Sequence, residues 1–342
     1  QIDALVRNLD YRAIAPIRQW QRILGQLDQA TPAEFVDWLE LSRRGGQVTN
    51  IALKRHWVDP TIPFAQLLRQ ATSGVVVTSA TLTDQTATAR EDSLQPDGRD
   101  REAEWRRSEL NLGVRHLSAA PFRVSVPSPF DYPQQTKVLI VTDVHRDRPE
   151  EVAAAYFALF KASGGGGLGL FTAIERLKQT YGYLAPRMAE AGISLLAQHV
   201  DAMDLNGLIP IFRSEVDSCL LGTDALRDGV DVPGRSLRLI VFDRVPWSRP
   251  SILYRERRRQ FGEVLGDRDY DYAQARLRLK QAFGRLVRRQ DDQGVFVMLD
   301  RQTPTALLSA FPPGVEVSRC GLADAVRVTR GFLVESLPHL PL

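Results

Sequence analysis

From Thr136 onward the chain switches repeatedly between short apolar runs and longer amphipathic ones, and this rhythm most constrains its fold. Strands are expected at 137–142, 167–171, 193–197, 218–222, 237–242 and 294–299. Helices are expected between them at 150–161, 173–191, 202–213, 251–262 and 270–289, with a short one after Pro304. Strands separated by helices pair in parallel through crossovers, with helices on both faces. The expected fold class is α/β, a doubly wound parallel sheet preceded by a mainly helical segment.

That segment covers residues 1 to about 45. Ile2, Leu5, Val6 and Leu9 form one apolar stripe; Ile14, Ile17, Trp20, Ile23, Leu24 and Leu27 form a second. Thr31-Pro32-Ala33-Glu34 reads as an N-cap with proline at N1, opening a helix that carries Phe35, Trp38 and Leu39. Residues 48–57 read as a pair of short strands, 64–70 as a short helix, and 84–110 as charged surface helix or loop. The run Gly74-Val75-Val76-Val77-Thr78-Ser79-Ala80-Thr81-Leu82 reads as a strand buried on both faces. Its small polar end lies where α/β folds hold ligands. Three prolines within 125–133 mark a passage between domains.

Several chemistries are excluded. A net charge of +3, spread over 44 basic and 41 acidic residues, makes any nucleic-acid surface local. Cys219 and Cys320 make neither a disulfide framework nor a four-thiolate metal site, and fit a reducing compartment. No apolar run approaches membrane-span length, and no signal peptide is visible. The chain opens on Gln1 inside a helical pattern and is read as part of a longer protein. His56, His116, His145, His199 and His339 lack metal-ligand spacing, and no Gly-x-Ser-x-Gly occurs. The glycine run 164–167 precedes a strand, whereas a phosphate-cradling loop follows one, so it is read as a flexible lead-in. Gly-Lys-[Ser/Thr] is absent, as is an Asp-Glu pair for a Walker B carboxylate.

Two stretches carry the remaining chemistry. Residues 221–234 follow a strand with small and acidic residues: Gly229 and Gly234 permit close approach, Thr223 offers a hydroxyl, and Asp231 a carboxylate. In 270–289, Tyr272, Ala275, Leu279, Phe283 and Leu286 form a buried stripe. Gln281, Arg285 and Arg288 stand at i, i+4 and i+7, which puts an amide and two guanidiniums on one helical face, a pairing that suits phosphate oxygens. Gly284, which costs about 1 kcal/mol there relative to Ala, implies close packing on the backbone. Both stretches are expected to face one cleft.

Together these residues resemble a known family. Thr78-Ser79-Ala80-Thr81-Leu82, then 222–234, then Gln281-Ala282-Phe283-Gly284-Arg285-Leu286-Val287-Arg288 resemble motifs III, V and VI of superfamily 2 helicases, nearest the DinG/XPD-like DNA helicases. Phe171-Thr172 resembles motif IV, Ser128-Pro129-Phe130-Asp131-Tyr132 the link into the second motor domain, Val245-Pro246-Trp247-Ser248-Arg249-Pro250 the Leu-Pro-Phe-x-x-Pro segment, and Asp292-x-Gly294 the tail after motif VI. The likeness covers about residues 60–305. It departs in motif V, where Arg227 replaces an aromatic residue before Asp228.

The resemblance implies a RecA-like second motor domain at 131–342, a remnant of the first at 59–130, and the end of an arch-like insertion at 1–58. It implies that Arg285 and Arg288 stabilise charge on the γ-phosphoryl of ATP, with Gln281 beside them. Gly229, Asp231 and Gly284 would border the nucleotide, Thr172 and Thr223 would hold phosphates of the tracked strand, and Ser79, Thr81 and Asp228 would couple the two. The implied cofactors are ATP and Mg²⁺, held mostly by the first motor domain. Many relatives carry an iron–sulfur cluster on four cysteines there, a set to which neither Cys219 nor Cys320 belongs. The implied partners are single-stranded DNA, DNA duplex junctions and the first motor domain, with no membrane, in the cytoplasm. The activity is 5′ to 3′ translocation and unwinding in DNA repair or replication. The alternatives are a helicase-like module that binds nucleic acid without unwinding, linked to a nuclease, and a dinucleotide enzyme, which the missing Gly-x-Gly-x-x-Gly disfavours.

Overall fold

The computed structural model describes residues 2–83, 101–223, 226, 232–265 and 267–335. The chain divides into two compact units. One comprises Gln1–Val77, Arg106–Pro121 and Arg249–Tyr270; the other comprises Thr78–Trp105, Phe122–Ser248 and Asp271–Leu342.

In the first unit, Ile2–Leu9 and Ala15–Leu24 are helical, joined by a wider π turn at Asp10–Ile14. The helical expectation fails at Phe35. Phe35–Arg44 is a strand, β1, and Gln47–Trp57 is one long strand, β2, paired antiparallel with it. The spacing of Phe35, Trp38 and Leu39 is the helical one, and in the strand it puts Trp38 on the face opposite Phe35 and Leu39; cross-strand partners override it. Phe35 packs on Trp57 with ring centroids 4.2 Å apart, and Asp37 pairs with Arg55 at 2.7 Å. Gly45 and Gly46, both at positive φ, close the two-residue turn.

The helix Thr61–Ala71 follows, as expected. Asp59 anchors its start. The carboxylate, 1% exposed, accepts bonds from Thr61 N (3.0 Å) and Thr61 Oγ1 (2.6 Å) and meets Arg115 and, at 3.0 Å, His116. Burial alone pushes Asp59 up, but these donors outweigh it and bring its pKa down to about 2. An unfolded Asp titrates near about 3.9. The folded value is the lower, so the stabilisation is complete above about pH 4 and is lost as pH falls through about 2. Protection of the Thr61–Ala71 amides, taken as the exchange rate relative to the intrinsic rate at each pH, is expected to fall across that window. Asp59→Ala is expected to remove the dependence and to exchange fast at neutral pH.

Residues 74–79 do not form the expected strand, and Val76 is 92% exposed. A strand buried on both faces needs paired neighbours and covering helices. The described residues supply neither for this run.

The second unit contains a seven-stranded parallel sheet: β3 (Thr136–Val141), β4 (Gly167–Leu170), β5 (Leu195–Ala197), β6 (Cys219–Gly222), β7 (Leu239–Phe242), β8 (Gly294–Met298) and β9 (Val317–Cys320). Their order is β5-β6-β4-β7-β8-β3-β9. Side chains alternate between two cores. Leu220, Ile240 and Phe296 face one, with the helices Leu205–Ser214 and Asp267–Phe283. Leu221, Val241 and Val297 face the other, with Pro149–Ser163, Ile174–Glu190 and Leu322–Arg330. The sheet is therefore doubly wound, as the strand–helix rhythm requires. No helix among the described residues is long and apolar enough to cross a membrane.

The glycine run is not a flexible lead-in. Gly164, Gly165 and Gly166 all have positive φ. Arg238 donates to the carbonyl oxygens of Gly164 and, at 3.2 Å, Gly165. A Cβ on Gly165 would lie 2.0 Å from Asp217 O. The run is a tight passage that only glycine fits.

Candidate functional site

A parallel sheet has one carboxyl edge and one amino edge. Thr172 and Thr223 follow β4 and β6 at the carboxyl edge, while residues 284–292 lead into β8 at the amino edge. Strands of this length separate the edges by about 15 Å. The expectation that the stretch after β6 and the arginine stretch share one cleft therefore fails for Thr223.

At the amino edge, the helix Asp267–Phe283 ends six residues earlier than expected. Gly284 N still bonds Lys280 O at 3.0 Å, but Arg285 N and Leu286 N bond back only three residues, to Ala282 O and Phe283 O, each at 3.0 Å. Arg285 and Arg288 thus leave the helical face that carries Gln281. The cause lies downstream. Asp292 accepts bonds from both Arg288 N and Arg289 N at 2.8 Å. From the opposite side, Gln135 Nε2 donates to the carbonyls of Arg289 (3.2 Å), Gln290 (3.0 Å) and Asp292 (3.0 Å). Leu286 and Val287 are buried between half-buried Arg285 and exposed Arg288. Leu286 Cβ stands 2.7 Å from where a Cβ of Gly294 would be. The close approach assigned to Gly284 therefore belongs to Gly294; at Gly284 a Cβ would meet nothing nearer than 3.4 Å.

Asp292 entered the sequence reading only as part of a resemblance, and Gln135 not at all. Gln135 acts on residues 154 positions away, so nothing local marks it.

Thr83, two residues past the Ser79–Thr81 pair, meets the same helix. Lys280 Nζ donates to Thr83 O at 3.0 Å, and the Ser79 and Thr81 hydroxyls lie 3.1 Å apart in a local turn.

At the carboxyl edge, Thr172 N donates to Asp243 Oδ1 at 3.1 Å, and Arg176 Nε to Asp243 Oδ2 at 2.7 Å. Asp243 is fully buried. Burial pushes its carboxyl above the ordinary range, and Arg176 and the Thr172 N–H pull against that rise. Arg176 and Arg244 also donate to Arg146 O at 2.8 and 3.3 Å, and Arg146 pairs with Asp300 at 3.1 Å. Beside them, Thr223 donates through N and Oγ1 to Gln198 Oε1 at 2.9 and 3.1 Å. A Cβ on Gly222 would fall 1.7 Å from Leu226 Cδ1, so Gly222 keeps this turn closed. Asp228, Gly229 and Asp231 lie outside the described residues.

Comparison with known proteins gives this arrangement a context. Residues 156–313 match the family described as the helicase C-terminal domain. The chain is 25% identical over 305 residues to the 3′-5′ exonuclease DinG of Bacillus subtilis, covering 86% of this chain and 31% of that protein. It is 33% identical over 156 residues to the ATP-dependent helicase DinG of Mycobacterium tuberculosis, covering 45% and 23%. It is 28% identical over 214 residues to the ATP-dependent DNA helicase YoaA of Escherichia coli, covering 59% and 32%. The chain thus spans about a quarter to a third of the length of these relatives.

Proposed function

We propose, from the premise that residues 156–313 match the helicase C-terminal domain and that the chain is similar to DinG proteins, that this chain is the second motor half of a DinG/XPD-like ATP-dependent DNA helicase. The observation that carries the reading is the turn 284–292. It holds Arg288 exposed on a backbone fixed by Asp292 and Gln135. A guanidinium on a rigid mount suits stabilisation of charge developing on a transferred phosphoryl group, because little reorganisation is needed at the moment of reaction.

In this reading Arg285 and Arg288 face the γ-phosphate of ATP from the turn, and Gln281 serves the same phosphate from the last turn of the preceding helix. The nucleotide's Mg²⁺ and phosphate loop belong to the first motor domain. Gly229, Asp231 and Gly284 border the nucleotide. Thr172 and Thr223 hold the tracked strand at the other edge of the sheet. Ser79, Thr81 and Asp228 link the two. Movement is 5′ to 3′ on single-stranded DNA, in repair or replication. With no Gly-Lys-[Ser/Thr] of its own, the chain alone hydrolyses no ATP.

The test is ATP hydrolysis by the full-length protein with and without single-stranded DNA, together with displacement of a labelled strand. Stimulation and displacement are expected. A basal rate indifferent to DNA rejects the motor reading. A second reading draws on the relative named as an exonuclease, which matches most of this chain. There the module grips nucleic acid for a linked nuclease without unwinding it. DNA-dependent hydrolysis with no strand displacement would favour that reading.

A further inference from the structure

The hairpin β1–β2 extends well beyond the packed part of its unit. Every residue from 39 to 51 is exposed, including Leu39 (64%), Leu41 (49%), Val48 (48%) and Ile51 (63%). At a strand rise of about 3.4 Å per residue, the exposed half reaches roughly 20 Å. A tight glycine turn keeps its end narrow, and the register shift between Ser42 and Arg43 twists the ribbon just before it.

Its charges are sorted along its length. The two carboxylates, Asp37 and Glu40, are each matched by a cation on the facing strand, Arg55 and Lys54. Beyond them, no acidic residue occurs from 41 to 53. Arg43 and Arg44 flank the turn, exposed and, among the described residues, without an acidic partner. The tip therefore carries two uncompensated positive charges flanked by exposed aliphatic side chains. A polyanion complements that pattern; an acid-free apolar peptide does not.

We propose that this hairpin is an arm for double-stranded DNA, its arginine tip on backbone phosphates and its aliphatic flanks against a groove. A two-stranded ribbon has the cross-section a duplex groove admits, and aliphatic side chains are common where such arms press on base steps. The assignment rests on the motor reading above for the presence of a duplex ahead of the tracked strand. It adds a contact outside the motor domain.

The test compares full-length protein with an Arg43→Ala/Arg44→Ala variant on a forked duplex and on single-stranded DNA, each over a salt series. Fork affinity is expected to fall about tenfold at low salt. The log–log salt slope for the fork is expected to shrink by about 2, since each phosphate contact releases close to one counterion. ATP hydrolysis stimulated by single strands is expected to stay within about twofold. Unchanged fork affinity and slope overturn the proposal. Equal loss on fork and single strand also overturns it, because the arm then serves the tracked strand. Absence of DNA-stimulated hydrolysis in the unaltered protein counts against the motor reading alone, since fork binding is read separately.

Discussion

Arg288→Ala in the full-length protein is expected to lower DNA-stimulated ATP hydrolysis by about 10³-fold or more, the range found when such a guanidinium is removed from related NTPases. ATP affinity should change far less, because the charge acts on the transition state. Retention of activity within about twofold would remove Arg288 from the chemistry. A second variant separates the guanidinium from its mount. Asp292→Ala leaves Arg288 in place but releases two backbone N–H groups now bonded at 2.8 Å. It should lower turnover about 10- to 100-fold with the salt dependence of DNA binding unaltered, the signature of a positioning residue.

The second large effect concerns folding. Gly165→Ala forces a side chain into left-handed backbone, at φ +85, with its Cβ 2.0 Å from Asp217 O. The conformational cost is about 1–2 kcal/mol, and displacing packed backbone adds about 1–3 kcal/mol. A total near 4 kcal/mol corresponds to a fall in Tm of roughly 10 °C for a domain of this size. Gly192→Ala is the control, since Gly192 also has positive φ, +69, but nothing lies within 4 Å of its Cβ position. Its cost should be the conformational part alone. Equal Tm shifts in the two variants would show that the contact with Asp217 does not matter.

What the sequence made legible was local. The apolar runs that became β3, β4, β6, β7 and β8 owe their strands to their own composition, and the crossovers between them imply parallel pairing. What it hid was non-local. Phe35, Trp38 and Leu39 repeat at the helical spacing, and partners farther along the chain, Trp57 against Phe35 and Arg55 against Asp37, override it. The run 74–79 looks like a buried strand because such strands are recognised by composition, whereas burial depends on neighbours. β9 escaped because Val317-Ser318-Arg319-Cys320 is short and half-exposed, an edge strand paired, among the described residues, with β3 alone. At the site, the spacing of Gln281, Arg285 and Arg288 would place them together only if the helix continued. Asp292 and Gln135 end that regularity from outside it, so the residue types were legible and their mounting was not.

The strand order also bears on how this protein can be divided. The segment that matches the helicase C-terminal domain, 156–313, omits β3 and β9, yet β3 lies between β8 and β9 in the sheet. A fragment cut at those limits would lose both strands and leave β8, five residues buried along their whole length, as a bare edge. Such an edge invites pairing with another copy. The smallest soluble piece of this unit must therefore begin before Thr136 and run past Cys320, and shorter cuts should yield aggregates instead of a domain.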